Sequence, residues 1–323
     1  MNILSNKDSY RQLCEHEPSI PLFSQAWWLD SVAGKDGWDV VLVEDGGEIV
    51  ASMPFTIKRT YGFTIISQPI LTQSLGPWLK ASDAKYSRKL GLQKKRIQEL
   101  FFKLPSFDHF QQNWHSNITN WLPVYWLGFQ QTTRYTYAIN DLSNIDVVLS
   151  NFDSSYRNKI KKASKIVKVK EDLAIETFYK INSLTFSRQN IKISYTLEFL
   201  KNHDEVLVQK KKRKIFFAED IEGKIHSALY LTWDSSSSYV HMVGEDPDLR
   251  NSGAGILLIW EAIKYTAQTL RLNKFDFEGS MLETVEPVRR DCGGIQIPYF
   301  TITKTPSRVL KTALFLKALK ADR

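Results

Sequence analysis

Two segments of the chain share one pattern of apolar and polar positions. In each, an apolar run leads into an acidic turn with glycine and then into a second apolar run, at residues 41–52 and 216–227. Glycine supplies the positive φ that tight hairpin turns require, so each segment predicts a β-hairpin. Helical stretches precede them, at Gln25–Val32 and at Ile175–Thr185 with Leu197–His203. The repeat predicts two copies of one α/β unit; chance likeness of two hairpins is the alternative.

The first copy extends beyond its hairpin. Apolar positions at helical spacing predict a helix over Lys85–Lys103, and alternation predicts strands at Val124–Phe129 and Thr133–Ile139. Asn, Asp and Ser then cluster over Asn140–Asn151, which is typical of a boundary. A chain of 323 residues is long for one domain. We therefore expect two domains, over residues 1–145 and 146–323.

The composition is that of a globular protein, and it excludes several classes of site. No apolar run reaches the roughly 20 residues that span a bilayer, and the polar start from Met1 to Ser9 does not fit a signal peptide. The two cysteines, Cys14 and Cys292, lie far apart, which excludes a disulfide framework, and no spacing indicates a metal site. A cytoplasmic location without a metal is expected.

Positive charge and tryptophan are unevenly distributed. Residues 151–214 hold 16 Lys/Arg against 7 Asp/Glu. This segment could bind a polyanion, or it could be a solvated helix face followed by a basic loop. Seven of the nine tryptophans lie within the first 126 residues. An aromatic cleft for a sugar or acyl chain would use them, but buried core positions are the favoured interpretation.

The segment from Tyr239 to Phe277 carries the strongest chemical pattern. A strand at Tyr239–Val243 leads to the loop Arg250–Gly255, then to an apolar helix, then to a strand at Lys274–Phe277. Amides in the first turn of a helix lack intrahelical partners and the helix dipole adds positive charge, so this turn can bind an anion. Glycines leave those amides open. The order strand, loop, helix, strand therefore suits a pyrophosphate.

The spacing Arg-x-x-Gly-x-Gly resembles the coenzyme A loop of GNAT acyltransferases. The BioF2-like acetyltransferase domain is one of the GNAT-type domains that this chain resembles. The resemblance implies an α/β (α+β) fold of two tandem GNAT-type domains, each with a mixed, mostly antiparallel central sheet flanked by helices. It implies acyl-CoA or acetyl-CoA as the donor. The implied donor-binding residues are Val243, Arg250, Asn251, Ser252, Gly253, Ala254 and Gly255.

A second resemblance is to FemAB-like proteins, whose best-known members move amino acids from aminoacyl-tRNA to peptidoglycan precursors. It rests on Phe275–Ser280, Val288–Gly294 and Tyr299-Phe300. The family lysine that stabilises charge at the acyl carbonyl falls on Arg289, whose guanidinium has a different geometry. Glu278 at a strand end is the candidate general base, or else it pairs with an arginine to order the loop.

The resemblance also implies roles for two further segments. The basic helix from Tyr156 resembles the family segment that opens the second domain, which makes Tyr156 and Arg157 candidates for binding the acceptor. Members that use tRNA often carry a long helical arm, and no coiled-coil heptads are present here. The stretch from Ser307 to Arg323 predicts a helix that Ser307 can cap, with an apolar face among lysines. Packing on the second domain is the favoured use of this face, and contact with a membrane is the alternative.

Three functions follow as hypotheses. The leading one is transfer of an acyl group from acyl-CoA to an amine or hydroxyl of a sugar or cell-envelope precursor, small or lipid-linked. The second is an aminoacyl-tRNA-dependent transferase of the peptidoglycan-bridge type. The third is a non-catalytic member of the fold that binds a glycan or a protein.

Overall fold

The computed structural model describes residues 5–279 and 281–321, with side chains up to residue 317, so Ser280 of the predicted motif lies outside the described residues. The helices are α1 (Asn6–His16), α2 (Ala26–Ala33), α3 (Tyr86–Phe102), α4 (Leu122–Tyr125), α5 (Ile145–Ser150), α6 (Ser154–Ile166), α7 (Ile175–Arg188), α8 (Leu197–Gln209), α9 (Ala254–Lys264), α10 (Glu286–Asp291) and α11 (Arg308–Ala321). The strands are β1 (Trp38–Asp45), β2 (Glu48–Thr60), β3 (Phe63–Ser67), β4 (Trp78–Leu79), β5 (His109–Asn113), β6 (Gln130–Ile139), β7 (Val167–Glu171), β8 (Arg213–Asp220), β9 (Ile225–Trp233), β10 (Ser238–Glu245), β11 (Phe275–Asp276) and β12 (Ile295–Lys304).

The chain forms two compact units. Unit 1 contains the chain up to Arg134 and the segment from Pro298 onward, and unit 2 contains Tyr135–Ile297. The sequence placed the division about ten residues later, between residues 145 and 146, and assigned the C-terminal segment to the second domain. Contacts between distant parts of the chain decide this assignment, and those contacts leave no local pattern in the sequence.

Unit 1 contains the first predicted hairpin. Its strands lie in the order β1-β2-β3-β5-β12, with β4 beside β2, and most pairs are antiparallel. Helix α3 confirms the helix predicted over Lys85–Lys103, because Ile97, Leu100 and Phe101 form one buried face. The strand predicted at Val124–Phe129 is wrong. Pro123 instead lies in the first turn of the one-turn helix α4, where a missing N–H costs nothing, and Val124 is buried within it.

Unit 2 contains the second predicted hairpin. Its strands lie in the order β6-β11-β10-β9-β8-β7, all antiparallel except the pair β10 and β11. Helix α9 is buried along almost its whole length, while α7 packs directly on β10. A Cβ on Gly244 would lie 2.5 Å from the backbone nitrogen of Asn182, so glycine is required where α7 crosses the strand. Together the units confirm the predicted tandem fold with mostly antiparallel sheets.

The predictions for the C-terminal helix and for the tryptophans agree with the structure only in part. Ser307 caps α11 as predicted, accepting a hydrogen bond from the Leu310 amide at 3.3 Å. The side chains of residues 311–317 are all exposed, so the predicted packing of this helix is wrong over the residues described. Four of the N-terminal tryptophans are buried as expected, whereas Trp126 is exposed. Within the described residues, no helix combines the length and apolarity needed to cross a bilayer.

Candidate active site

Strands β10 and β11 diverge in unit 2, and two ionisable side chains meet at that point. The parallel pairing covers only Ser238 with Phe275 and Tyr239 with Asp276. Beside it, the register of β10 against β9 shifts between Val240 and Met242, which makes His241 the extra residue of a β-bulge. Two positions beyond the last pair, His241 Nδ1 and Glu278 Oε1 form a hydrogen bond of 3.0 Å.

The backbone around Glu278 is held in an unusual conformation. Glu278 has a φ of +47°, in the left-handed region that non-glycine residues occupy only at a cost. Its amide donates to Asp276 Oδ1 at 2.8 Å, and the Gly279 amide donates to Thr136 Oγ1 at 2.8 Å. A Cβ on Gly279 would lie 2.1 Å from the carbonyl oxygen of Tyr135, so only glycine fits there. These contacts fix the direction of the Glu278 carboxylate.

Asp276 is the buried support of this turn. Its Oδ1 also accepts a hydrogen bond from Thr136 Oγ1 at 2.6 Å. Burial raises the pKa of the Asp276 carboxyl from 3.8 to about 6, although the hydrogen bond from Thr136 and the charge of Lys274 act in the opposite direction. The buried Asp276 carboxylate is therefore placed to support the Glu278 backbone and not to contact a ligand.

His241 joins Glu278 to a buried polar cluster. Its side chain is only 2% exposed, and that of Glu278 is 9% exposed, so the carboxylate is the more accessible partner. The His241 ring lies 6.2 Å from the ring of His203 and 6.1 Å from that of Tyr230. Burial lowers the pKa of His203 well below its ordinary value, which keeps that imidazole neutral.

His241 is not among the site residues that the sequence predicts. Histidines on predicted strands are more often structural, and this position gave no other sign. His241 can be recognised as a neighbour of Glu278 once the parallel register of β10 with β11 is known. Residues two positions beyond a matched pair face the same side of the sheet.

Arg289 lies on α10 near the same turn. Its Nε is buried, and none of the described residues provides an acceptor within hydrogen-bond distance of it. Burial lowers the pKa of the Arg289 guanidinium, while Cys292, Glu278 and Asp276 raise it through their charge. An unpaired buried N–H costs about 1–3 kcal/mol, so a ligand oxygen placed there would relieve that cost.

The predicted anion loop forms a short 3₁₀ turn, Arg250–Ser252, that leads into α9. Gly253 has a φ of +80°, and a Cβ on it would lie 3.0 Å from Lys159 Cβ, so glycine allows α6 to approach the loop. A Cβ on Gly255 would lie 3.2 Å from Glu245 Oε1. The Ala254 amide donates to Ser252 Oγ at 3.3 Å. Gly253 is therefore needed for packing around the first turn of α9, whereas a side chain at position 255 would require the flexible end of Glu245 to move.

Charged side chains surround this loop. Lys162 Nζ donates to the carbonyl oxygen of Asn251 at 2.9 Å, which connects α6 to the loop. Glu245 lies between Arg250, at 3.6 Å, and Arg188, at 3.7 Å. Burial raises the pKa of Glu245, although both arginines and Lys159 lower it. Arg188, Arg250, Lys159 and Lys162 therefore bring four cations to the first turn of α9, close to the carboxylate of Glu245.

The remaining predicted residues have more local contacts. The Val243 carbonyl oxygen on β10 accepts a hydrogen bond from Asn182 Nδ2 at 2.8 Å. Tyr156 is buried, Lys159 Nζ lies 4.4 Å from its ring centre, and burial raises its pKa to about 12. Arg157 Nη1 donates to the carbonyl oxygens of Ser150, at 2.8 Å, and Phe152. The two hydrogen bonds of Arg157 order the turn between α5 and α6.

The basic run Lys210–Lys214 is partly neutralised by internal ion pairs. Arg213 pairs with Asp172 and, at 3.2 Å, with Asp204 Oδ2. Lys214 pairs with Asp172 at 2.9 Å. Only part of the charge excess in residues 151–214 therefore faces solvent.

Within the described residues, no group of three or more His, Cys, Asp or Glu side chains is arranged to hold a metal ion.

Comparison with known proteins agrees with this architecture. Residues 150–282 match the family model of the acetyltransferase (GNAT) domain. The crystal structure of FemX superposes with a TM-score of 0.68 at 12% identity, over 92% of this chain and 96% of FemX. L-PGS from Bacillus licheniformis has a TM-score of 0.55 at 10% identity, over 98% and 96% of the two chains. A search of curated proteins returns no match.

A tandem GNAT protein from the clavulanic acid biosynthesis pathway also aligns, with a TM-score of 0.52 at 10% identity, over 93% of this chain and 94% of that protein. Identities this low show a shared fold. The domain match covers the anion loop and Glu278, whereas Arg289 lies beyond its end. Residues 150–282 therefore match an acetyltransferase (GNAT) domain, and the chain shares the fold of FemX and L-PGS.

Proposed function

We propose that unit 2 transfers an acyl group from acyl-CoA, such as acetyl-CoA, to an amine or hydroxyl of a sugar or cell-envelope precursor. The acceptor would be a small molecule or a lipid-linked sugar or peptide. The observation that carries this proposal is the turn at the end of β11. It directs the carboxylate of Glu278 to the point where β10 and β11 diverge, within electrostatic range of the buried guanidinium of Arg289.

The chemistry requires a proton acceptor and a group that stabilises negative charge. As the acceptor nitrogen or oxygen bonds to the thioester carbonyl carbon, it loses a proton, which Glu278 would accept. The carbonyl oxygen gains negative charge in the transition state, and the unpaired Nε–H of Arg289 would donate to it. The carbon–sulfur bond then breaks, and the leaving thiolate takes up the proton from Glu278. His241 would hold the Glu278 carboxylate in position throughout.

The donor would bind along the first turn of α9. The positive end of the α9 dipole, with Arg250, Lys159 and Lys162 around it, suits the diphosphate of coenzyme A. Val243 and the bulge of β10 lie on the strand that leads into the loop, where backbone groups would meet the rest of the donor.

Isothermal titration with acetyl-CoA and longer acyl-CoAs tests the donor, and steady-state kinetics test the residues. Glu278→Gln should lower kcat by about 10²–10⁴-fold with donor affinity unchanged. Arg289→Ala should lower kcat by about 10²–10³-fold, and Arg289→Lys should retain part of the activity because the charge remains.

Glu222→Gln is the matched control, because Glu222 is an exposed carboxylate on the β8–β9 turn and should have no effect. Turnover that survives both Glu278→Gln and Arg289→Ala would refute the assigned roles. Absence of binding to every thioester would refute acyl-CoA as donor, and absence of turnover with any donor would favour the non-catalytic alternative.

An aminoacyl-tRNA donor is the second candidate, because Lys161, Lys165 and Lys168 are exposed on and just after α6. Phosphate contacts release counterions, so binding of tRNA through these lysines should weaken steeply with salt. The double variant Lys161→Gln/Lys165→Gln should reduce that salt dependence. Binding that is absent, or insensitive to salt, removes this candidate.

A further inference from the structure

Unit 1 carries a surface of chemistry unlike that of the site in unit 2. Helices α3 and α4 pack together, with Gln98 Nε2 donating to the Pro123 carbonyl oxygen at 3.5 Å and Asn120 Nδ2 donating to Gln93 Oε1 at 3.1 Å. We name this the α3–α4 surface. It consists of Lys85, Arg88, Lys89, Lys94 and Lys95 at or on α3, with Trp121, Leu122, Tyr125 and Trp126 at or on α4.

The α4 part is apolar and aromatic, yet it faces solvent. Leu122, Tyr125 and Trp126 are 50%, 56% and 55% exposed. The ring centres of Trp121 and Tyr125 lie 5.4 Å apart in an edge-to-face arrangement. Buried Val124 anchors the short helix, so the exposed side chains stand on a fixed base. A contiguous exposed patch of this kind marks an interaction site.

The α3 part is strongly basic. From Lys85 to Lys103 the chain has seven Lys/Arg and a single acidic residue, Glu99. Arg96 donates to the Lys80 carbonyl oxygen, and Lys103 pairs with Glu99. The five other cations are exposed. One of these, Lys94, places its Nζ 4.8 Å from the ring centre of Trp126, which joins the basic and aromatic parts.

We propose that the α3–α4 surface binds the face of an anionic phospholipid bilayer. Trp and Tyr prefer the depth of the headgroups, where ring and polar tip are both satisfied, and clustered Lys and Arg are attracted by the negative surface potential. The half-exposed aliphatic Leu122 gains from contact with acyl chains. It would gain little from a stacked nucleobase or sugar ring, which favours lipid over nucleic acid or glycan.

A second segment of unit 1 has the same character. On α11, the side chains of Val309, Phe315 and Leu316 are 71%, 63% and 54% exposed. Arg308, Lys311 and Lys317 stand among them, and residues 305–321 contain no Asp or Glu. Exposed apolar side chains with exclusively positive neighbours again suit an anionic membrane.

Vesicle sedimentation with the full chain tests this proposal without any turnover assay. Vesicles of phosphatidylcholine alone are compared with vesicles that contain phosphatidylglycerol, at low and high salt. Binding should require phosphatidylglycerol and weaken with salt. Each neutralised cation should cost about fivefold in affinity, so Lys94→Gln/Lys95→Gln should lose about 25-fold by the same rule. Trp126→Ala should weaken binding at every salt concentration.

The matched control is Lys210→Gln/Lys211→Gln, which removes two exposed lysines of unit 2 and should leave vesicle binding unchanged. Thermal denaturation of each variant confirms folding. Equal binding to neutral vesicles, no binding, or equal losses in the control variant would overturn the proposal. Competition by tRNA or by a soluble glycan that depends on Lys94 and Trp126 would assign the surface to those ligands instead. None of these outcomes depends on acyl transfer.

Discussion

Replacing Asp276 by Asn would test the buried support beneath Glu278. The asparagine keeps the Oδ1 that accepts hydrogen bonds from Thr136 and from the Glu278 amide, and it removes the ionisable group. Burial holds the pKa of Asp276 near 6 against an ordinary 3.8. Because the folded pKa is the higher one, ionisation destabilises the fold. The penalty is absent below the ordinary pKa and complete above the folded one.

The expected size follows from the shift. One pKa unit corresponds to about 1.4 kcal/mol, so a shift of roughly two units gives a penalty of about 3 kcal/mol at pH 8. Relative to the wild type, Asp276→Asn should therefore gain about 2.5 kcal/mol in free energy of unfolding between pH 4 and pH 8, because a small part of the penalty is already present at pH 4. A constant offset of about 1–3 kcal/mol from the new amide N–H, if unpaired, would not change this slope.

Urea denaturation at several pH values, followed by circular dichroism, measures the difference between variant and wild type. Asp141→Asn is the control with the opposite sign. The side-chain hydrogen bond from Ser143 lowers the pKa of Asp141, so its carboxylate contributes stability that is lost as the pH falls. A difference between Asp276→Asn and wild type that stays constant from pH 4 to pH 8 would refute the reasoning.

Three further substitutions have defined outcomes. Gly253→Ala should lower stability by about 1–2 kcal/mol for its left-handed φ, with a further loss from overlap with α6 and weaker acetyl-CoA binding by calorimetry. Gly91→Ala should raise stability by about 1 kcal/mol, seen as a higher Tm, because this exposed glycine lies inside α3 with nothing within 4 Å of its would-be Cβ. Arg213→Ala should cost about 3–5 kcal/mol in urea denaturation, since it leaves the buried Asp204 carboxylate uncompensated; a loss below 1 kcal/mol would contradict a buried-pair role.

Local patterns in the sequence determined a large part of the fold. Helical spacing of Ile97, Leu100 and Phe101 predicted α3, and the glycine turns predicted the hairpins β1–β2 and β8–β9, because each depends on neighbours within a few residues. The strand predicted at Val124–Phe129 was wrong because an apolar run of that length fits a strand or a helical turn equally well. There Pro123 decided the outcome.

The candidate site depended more on tertiary structure. Glu278, Arg289 and the loop from Arg250 to Gly255 were found from sequence, because motif spacing along the chain records them. The loop and Glu278 lie on consecutive elements of unit 2, in the segment that matches the GNAT domain. Their catalytic and binding roles remain predictions.

Tertiary structure alone decided the partners of these residues. His241 reaches Glu278 only because β10 and β11 run parallel in one register and then diverge at a bulge. Arg157 contacts backbone carbonyls that its place in the sequence does not reveal, and the side chains of residues 311–317 are exposed although the sequence favoured packing of that helix. Spacing along a chain specifies which way a side chain faces on its own element; which element lies opposite is set by pairing and packing between distant segments.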